Sequence, residues 1–214
     1  VPADQRSAME WLIVHMPAED RSSLTAAFLL ENVSLAHEAW TSSPWRDRVP
    51  EEIFLDAILP YANVNEARDP WRRDFRDRLS PLVAQATSPS QAAAILNQRL
   101  FPMVGVRYST DRPKADQSPR ESMEAGMASC TGLSIMLVDA CRSVGVPARF
   151  VGTPLWSDGS GNHSWVEIYD DGDWHFTGAA EPTGDDLNKG WFTGRAKGAI
   201  EGDSRRAIYA VTWR

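Results

Sequence analysis

Cys130 is the residue whose type and position best suit chemistry. It follows Ala128 and Ser129 and opens a long apolar stretch. If that stretch is a helix, its free N–H groups and the positive end of its dipole point at the sulfur. Both favour the nucleophilic thiolate, and the same N–H groups can bind an oxyanion. A small, buried, apolar cysteine is an equally good interpretation of these residues alone.

His163 is the candidate base. It follows the glycine-rich turn 158–162 and opens the strand-like segment His163–Tyr169. Alternation puts it on the same face as Trp165 and Glu167. A side chain at the mouth of a strand can reach the terminus of a helix packed on that sheet. Taken alone, the residue is better explained as a surface histidine of the turn.

The other cysteine and the other histidines predict no further site. Cys141 lies in the middle of the apolar stretch, where core packing explains it. The two cysteines are eleven residues apart, roughly 16 Å along one helix, which is too far for a disulfide. Without a C-x-x-C pair or an H-E-x-x-H motif, we expect no metal site.

The first half of the chain must supply helices. Trp11 and His15 share a helical spacing, and Asp20 is predicted to cap a second helix whose apolar face runs from Leu24 to Ala36. A further helix is expected over 91–100. Four prolines break the intervening sequence into short helices and turns: Pro44, Pro50, Pro60 and Pro70.

The second half predicts a buried helix followed by strands. The apolar stretch 131–144 ends at Gly145 and Pro147, as a helix would. Strands are expected over 148–156, 163–169, 174–177 and 206–213, with a hairpin turn at Asp171-Gly172. A central helix with antiparallel strands indicates an α+β fold.

A dense polar and aromatic segment lies at Asn63–Arg72. It could line a substrate groove, but we favour an ion-paired joint between two lobes.

Three ordered motifs resemble the transglutaminase-like core. They are Ala128-Ser-Cys130-Thr-Gly-Leu, then Ala140–Val151 with its Gly-Val-Pro-Ala-Arg turn, then Asn162-His163-Ser-Trp165-Val-Glu167-Ile. The resemblance covers residues 91–185. It implies a papain-like fold and a Cys–His–Asp triad, in which Cys130 and His163 are the first two members. The helical pattern of the first 90 residues adds an N-terminal helical lobe to this fold.

The third member departs from the family pattern. The family has a Trp followed closely by Asp-Pro, whereas here Trp174 is followed by Glu181-Pro182 after about three extra residues. Glu181 is our candidate for orienting the imidazole. The alternative for Glu181 itself is an exposed loop residue without a role. The third member could then be His175 or Asp185, or the triad could lack a carboxylate.

The resemblance also suggests residues around the reacting atoms. Asn97 and Gln98 are candidate oxyanion donors, although capping or surface roles are simpler for each. Trp156 and Trp165 are candidates for the substrate groove, with core packing an equal explanation for Trp165.

Composition excludes some classes of partner. The 214-residue chain has a net charge of −7 and a pI of about 5.1, which argues against nucleic-acid binding. No apolar stretch is long enough to span a membrane. We expect a helical lobe at 1–90 and a catalytic core at 91–214, with further domains beyond residue 214. Because the sequence lacks an initial methionine, we favour an exported protein over a cytoplasmic one.

The predicted function is that of a cysteine-nucleophile amide-bond enzyme with a thioester intermediate and no cofactor. Because no calcium-binding loop is apparent, we favour hydrolysis of a peptide, protein or glycopeptide substrate. A transamidase is one alternative, and a non-catalytic binding module is another.

Overall fold

The first half of the chain is helical. The computed structural model describes residues 1–214, and none of its helices has the length and hydropathy of a membrane-crossing segment. Short 3₁₀ turns occur at Ala3–Gln5 and Arg46–Arg48. The α-helices of this half are α1 (Arg6–His15), α2 (Asp20–Ser23), α3 (Ala26–Ser42), α4 (Glu51–Ala57) and α5 (Trp71–Val83).

The predicted cap at Asp20 is wrong in one respect. Asp20 begins only the one-turn helix α2, and Leu24 is extended, so the long helix α3 starts anew. Thr25 caps α3 by accepting a hydrogen bond from the Phe28 N–H group. The Asp20 carboxylate instead bonds Tyr61 and Arg68. A buried carboxylate needs such partners, and they hold it away from the helix end.

The second half builds a sheet around one helix. Its elements are α6 (Pro89–Val104), β1 (Arg107–Tyr108), α7 (Pro119–Ala125), β2 (Met127–Ala128), α8 (Cys130–Ser143), β3 (Ala148–Thr153), β4 (His163–Asp170), β5 (Asp173–Thr177), α9 (Thr193–Ala196) and β6 (Tyr209–Ala210). The main sheet is antiparallel in the order β5-β4-β3-β6, and β1 pairs with β2 in parallel. The mixed helix and sheet architecture confirms the predicted α+β class.

The hairpin turn at Asp171-Gly172 is also confirmed, because both residues have positive φ, 50° and 93°. The last predicted strand is much shorter than expected. Only Tyr209 and Ala210 pair with β3, and beyond them the Trp213 N–H group donates to the Asp56 carboxylate. That bond draws the chain off the sheet edge and onto α4.

Helix α8 is the centre of the molecule. Twelve of its fourteen residues are buried, as its nearly continuous apolar sequence requires. It packs on α5 and α6 on one side and on β3 and β4 on the other. One hydrophobic core runs from Ala8 in α1 to Trp213.

Two buried arginines join the helical half to α8. Arg72 donates to the carbonyl oxygens of Ile58 and Arg142, at 2.9 and 3.1 Å. Arg142 donates to the carbonyls of Ala57 and Ala62, at 3.2 and 3.0 Å. These bonds favour the joint over the groove for the polar segment Asn63–Arg72. The boundary at residue 90 stays a prediction.

Candidate active site

Cys130 is the first residue of α8, and Ser129 organises the turn around it. The Ser129 hydroxyl accepts a hydrogen bond from the Gly132 N–H group at 3.1 Å, and its carbonyl accepts from Leu133 N–H at 2.9 Å. The N–H groups of Cys130 and Thr131 take no part in this cap. They precede the internal ladder of the helix, so they are free to bind an oxyanion.

The two cysteines occupy different environments. Both are free thiols, and Cys130 is partly exposed on a cavity of about 840 Å³. Cys141 is fully buried, and burial raises the pKa of its thiol. The structure therefore leaves Cys130 as the thiol that reagents in solution can reach.

His163 lies on the wall of the same cavity. It is the first residue of β4 and only 6% exposed. A hydrogen bond of 3.1 Å joins the hydroxyls of Thr131 and Ser164, the residues next in sequence to Cys130 and His163. That bond ties the start of α8 to the start of β4, so the two candidate catalytic residues are held at one end of the helix–sheet interface.

The imidazole of His163 is enclosed by aromatic rings. Ring centroids of Phe192, Trp191, Trp156 and Trp165 lie 4.7, 4.8, 6.1 and 6.1 Å from it. Its Nε2 atom is buried and has no hydrogen-bond partner. Burial lowers the pKa of His163 to about 4. At neutral pH the ring is therefore uncharged and can accept a proton, and Nδ1 is the nitrogen that is not sequestered.

Glu181 lies on the cavity wall, but its hydrogen bond goes to another residue. Its Oε2 atom accepts from the indole N–H of Trp191 at 2.9 Å. A Cβ atom on Gly178 would overlap this carboxylate, so Glu181 packs directly over the glycine. Burial raises the pKa of Glu181, and the Trp191 bond opposes that rise. The expected bond from Glu181 to the His163 ring is absent.

The alternative third members lie elsewhere. His175 Nδ1 is 2.9 Å from the side-chain amide of Asn188, and Asp185 accepts from Gln98 at 3.3 Å. Neither residue lines the cavity with Cys130. No group of three or more His, Cys, Asp or Glu side chains is arranged to hold a metal ion.

Asn97 and Gln98 line the cavity, but their amide donors are occupied. Asn97 Nδ2 donates to the Thr177 hydroxyl and the Gly178 carbonyl, at 3.0 and 2.8 Å, and its Oδ1 accepts from Ala180 N–H. Gln98 Nε2 donates to the Gly184 carbonyl at 2.9 Å. Asn97 thus shapes the turn that precedes Glu181, and neither amide has the free donors that an oxyanion would need.

The tryptophans predicted for the groove lie behind the wall. Trp156 and Trp165 are each 3% exposed and pack with Val151 and Phe192 in a small second core. They contact the His163 ring rather than the open cavity. Trp191, 58% exposed, lines the cavity instead. No periodic pattern surrounds Trp191, so its position could not be predicted from the sequence.

One comparison with known proteins identifies a family for part of the chain. Residues 76–178 match the family model of the transglutaminase-like superfamily, which places a transglutaminase-like core in this segment. The match includes Cys130, His163 and Asn97 but ends at Gly178, before Glu181 and Trp191. A search of curated proteins finds no match.

Two solved structures are similar to parts of the chain. One is described as a "Putative Cysteine Protease from Cytophaga hutchinsonii", with a TM-score of 0.43, 13% identity and 52% of this chain covered. The other is described as a TGase, with a TM-score of 0.42, 16% identity and 68% covered. The chain spans 38% and 45% of those two proteins.

Proposed function

We propose that this protein hydrolyses an amide bond of a peptide or glycopeptide through a thioester on Cys130. One observation carries the proposal. A thiol at the start of the central helix and a neutral, nearly buried imidazole line the same cavity, and the Thr131–Ser164 bond links their neighbours. Such a pair is the minimal apparatus for nucleophilic acyl transfer.

Each step uses groups that face the cavity. His163 Nδ1 takes the thiol proton as Sγ bonds to the carbonyl carbon, and the backbone N–H groups of Cys130 and Thr131 bind the oxyanion. The C–N bond then breaks, and the imidazolium gives its proton to the leaving amine. Water next attacks the thioester while His163 accepts a proton from it. The C–S bond breaks, a carboxylic acid leaves, and the imidazolium returns its proton to Sγ, which restores the thiol. No step calls for a metal or an organic cofactor.

Screening tests this reaction directly. Peptide, glycopeptide and glutamine-donor libraries are incubated with wild type, Cys130→Ala and the control Cys141→Ala. We expect cleavage and an acyl-enzyme mass in wild type and Cys141→Ala, and neither in Cys130→Ala. Added hydroxylamine separates the acceptors, because a transamidase transfers the acyl group to it in preference to water. Turnover that survives in Cys130→Ala would refute the proposal.

A non-catalytic binding module is the second candidate, and one observation favours it. His163 Nε2 has no hydrogen-bond partner, and the nearby carboxylate of Glu181 is committed to Trp191. Alkylation of Cys130 by iodoacetamide distinguishes an enzyme from a binding module. An enzyme should show Cys130 labelling that persists at mildly acidic pH and weakens in His163→Ala. A binding module should show the profile of an ordinary thiol in both proteins.

A further inference from the structure

Two arginines face the cavity that contains Cys130. Arg107, in β1, is exposed, and Arg112, in the loop after it, is half-buried. Arg112 Nη1 donates to the Thr110 carbonyl at 3.0 Å, which fixes one edge of its guanidinium. Neither arginine forms an ion pair with a carboxylate. Most of their N–H donors therefore remain available to a ligand.

The segment that carries these arginines is fastened to the residues just before Cys130. Arg107 is the register partner of Met127 in the β1–β2 pair. The next turn is held by a bond of 3.0 Å from Ser109 N–H to the Ala128 carbonyl. Beyond Arg112, the Ala115 carbonyl accepts from the Ser129 hydroxyl at 2.5 Å. Because the segment is tied before and after Arg112, the backbone position of both arginines is coupled to that of the nucleophile.

The lining of the Cys130 cavity is positively charged, whereas the whole chain is negatively charged. The protein has a net charge of −7, yet the cavity lining contains two arginines and a single carboxylate, Glu181. Asp111 lies between the arginines in sequence but does not line the cavity. The positive end of the α8 dipole adds to the same sign. A potential of this kind attracts anions to the thiol.

We infer that Arg107 and Arg112 bind a carboxylate of the acyl substrate, so that the preferred substrate is an acidic peptide. A guanidinium holds a carboxylate through two parallel hydrogen bonds, which fixes the orientation of the ligand as well as its charge. This inference rests on the proposed function, since it names the substrate class for the reaction at Cys130.

Charged thiol reagents test the inference without a known substrate. Sulfonatoethyl methanethiosulfonate is anionic and the trimethylammonioethyl analogue is cationic. With either reagent, the Cys130 thiolate displaces methanesulfinate and forms a mixed disulfide. The readout is the ratio of the anionic to the cationic rate constant, measured at low and high salt. Cys141 is buried and does not contribute, and Cys141→Ala checks this.

Variants distinguish the effect of these two arginines on the rate ratio from the effect of general surface charge. Arg107→Gln with Arg112→Gln should lower the rate ratio roughly tenfold at low salt, because each charge acts on the two reagents in opposite directions. The matched control is Arg99→Gln, an exposed arginine of α6 outside the cavity lining, which should leave the ratio within about twofold. Arg107→Lys with Arg112→Lys keeps the charge and should keep the ratio.

Two outcomes would overturn the inference. One is an unchanged ratio in the double glutamine variant, and the other is an equal fall in Arg99→Gln. Neither depends on turnover. If Cys130 proved to be an ordinary thiol, the proposed function would fail in the iodoacetamide profile, while the charge ratio would still report whether the arginines attract anions.

Discussion

His163 combines two properties that depend on its burial. Its ring is uncharged at neutral pH because aromatic neighbours replace water, and its Nε2 atom lacks a protein acceptor. A neutral imidazole is the form that a general base requires. The aromatic enclosure also limits where the ring can move, so packing can orient His163 in place of a carboxylate.

The lowered pKa of His163 predicts how stability depends on pH. The unfolded chain binds a proton near pH 6.5 and the folded chain only near 4. As the pH falls from 6.5 to 4, the unfolded state is therefore favoured, and below 4 this contribution levels off. We expect urea unfolding to show this loss in wild type and its absence in His163→Phe. Parallel pH profiles of the two proteins would contradict the assignment.

Glu181 and Trp191 are predicted to act as a pair. Glu181→Gln and Trp191→Phe should each slow iodoacetamide alkylation of Cys130 by less than about tenfold, since neither removes a bond to His163. Because both variants disturb the same bond, the double variant should lose less than the sum of the two effects. If Glu181 oriented the imidazole, Glu181→Gln should instead slow alkylation of Cys130 as much as His163→Ala does.

A loss of that size in Glu181→Gln, with Trp191→Phe unaffected, would restore Glu181 to the triad. The measurement is the second-order alkylation rate constant of each variant at neutral pH.

The stability of helix α8 depends on its C-terminal end as well as on its N-terminal cap. Gly145 follows its last turn with φ of 77°, and its carbonyl accepts from the indole N–H of Trp45. A Cβ atom there would overlap the Ala39 carbonyl of α3. Only glycine combines this conformation with so close an approach of two backbones.

Gly145→Ala should therefore lower the free energy of unfolding by about 3 kcal/mol or more, the sum of left-handed strain and steric overlap. The matched control is Gly202→Ala. Gly202 also has positive φ, 79°, but nothing lies near a Cβ atom there, so about 1 kcal/mol is expected. Urea midpoints measure both, and equal losses would contradict the proposed overlap.

At the scale of the whole molecule, the helical half and the sheet share one hydrophobic core. Phe75 and Leu79 of α5 belong to the same cluster as Leu137 of α8 and Val166 of β4. Arg72 and Arg142 add buried bonds across the joint. Sharing of this kind couples the two halves energetically, whatever boundary their sequences suggest.

We expect calorimetry to show one unfolding transition, with equal calorimetric and van't Hoff enthalpies. A fragment of residues 91–214 lacks α5 and should melt without cooperativity, because one face of α8 is then exposed. Two resolved transitions, one of them retained by the fragment, would support the predicted boundary at residue 90.

Arg142→Met should lower the stability of the full chain by about 3 kcal/mol, since buried carbonyls lose their donor.

The sequence by itself determined the α+β class, the start and end of α8, the His163 strand and the Asp171-Gly172 turn. These features follow from local periodicity, capping and turn chemistry, which act between near neighbours. The structure alone decided that Glu181 bonds Trp191, that the amides of Asn97 and Gln98 are occupied, and that Trp156 and Trp165 lie behind the wall. It also brought Arg107 and Arg112 to the Cys130 cavity. These contacts join residues far apart in sequence or on irregular loops, where no repeating pattern constrains the side chains, so only tertiary packing could settle them.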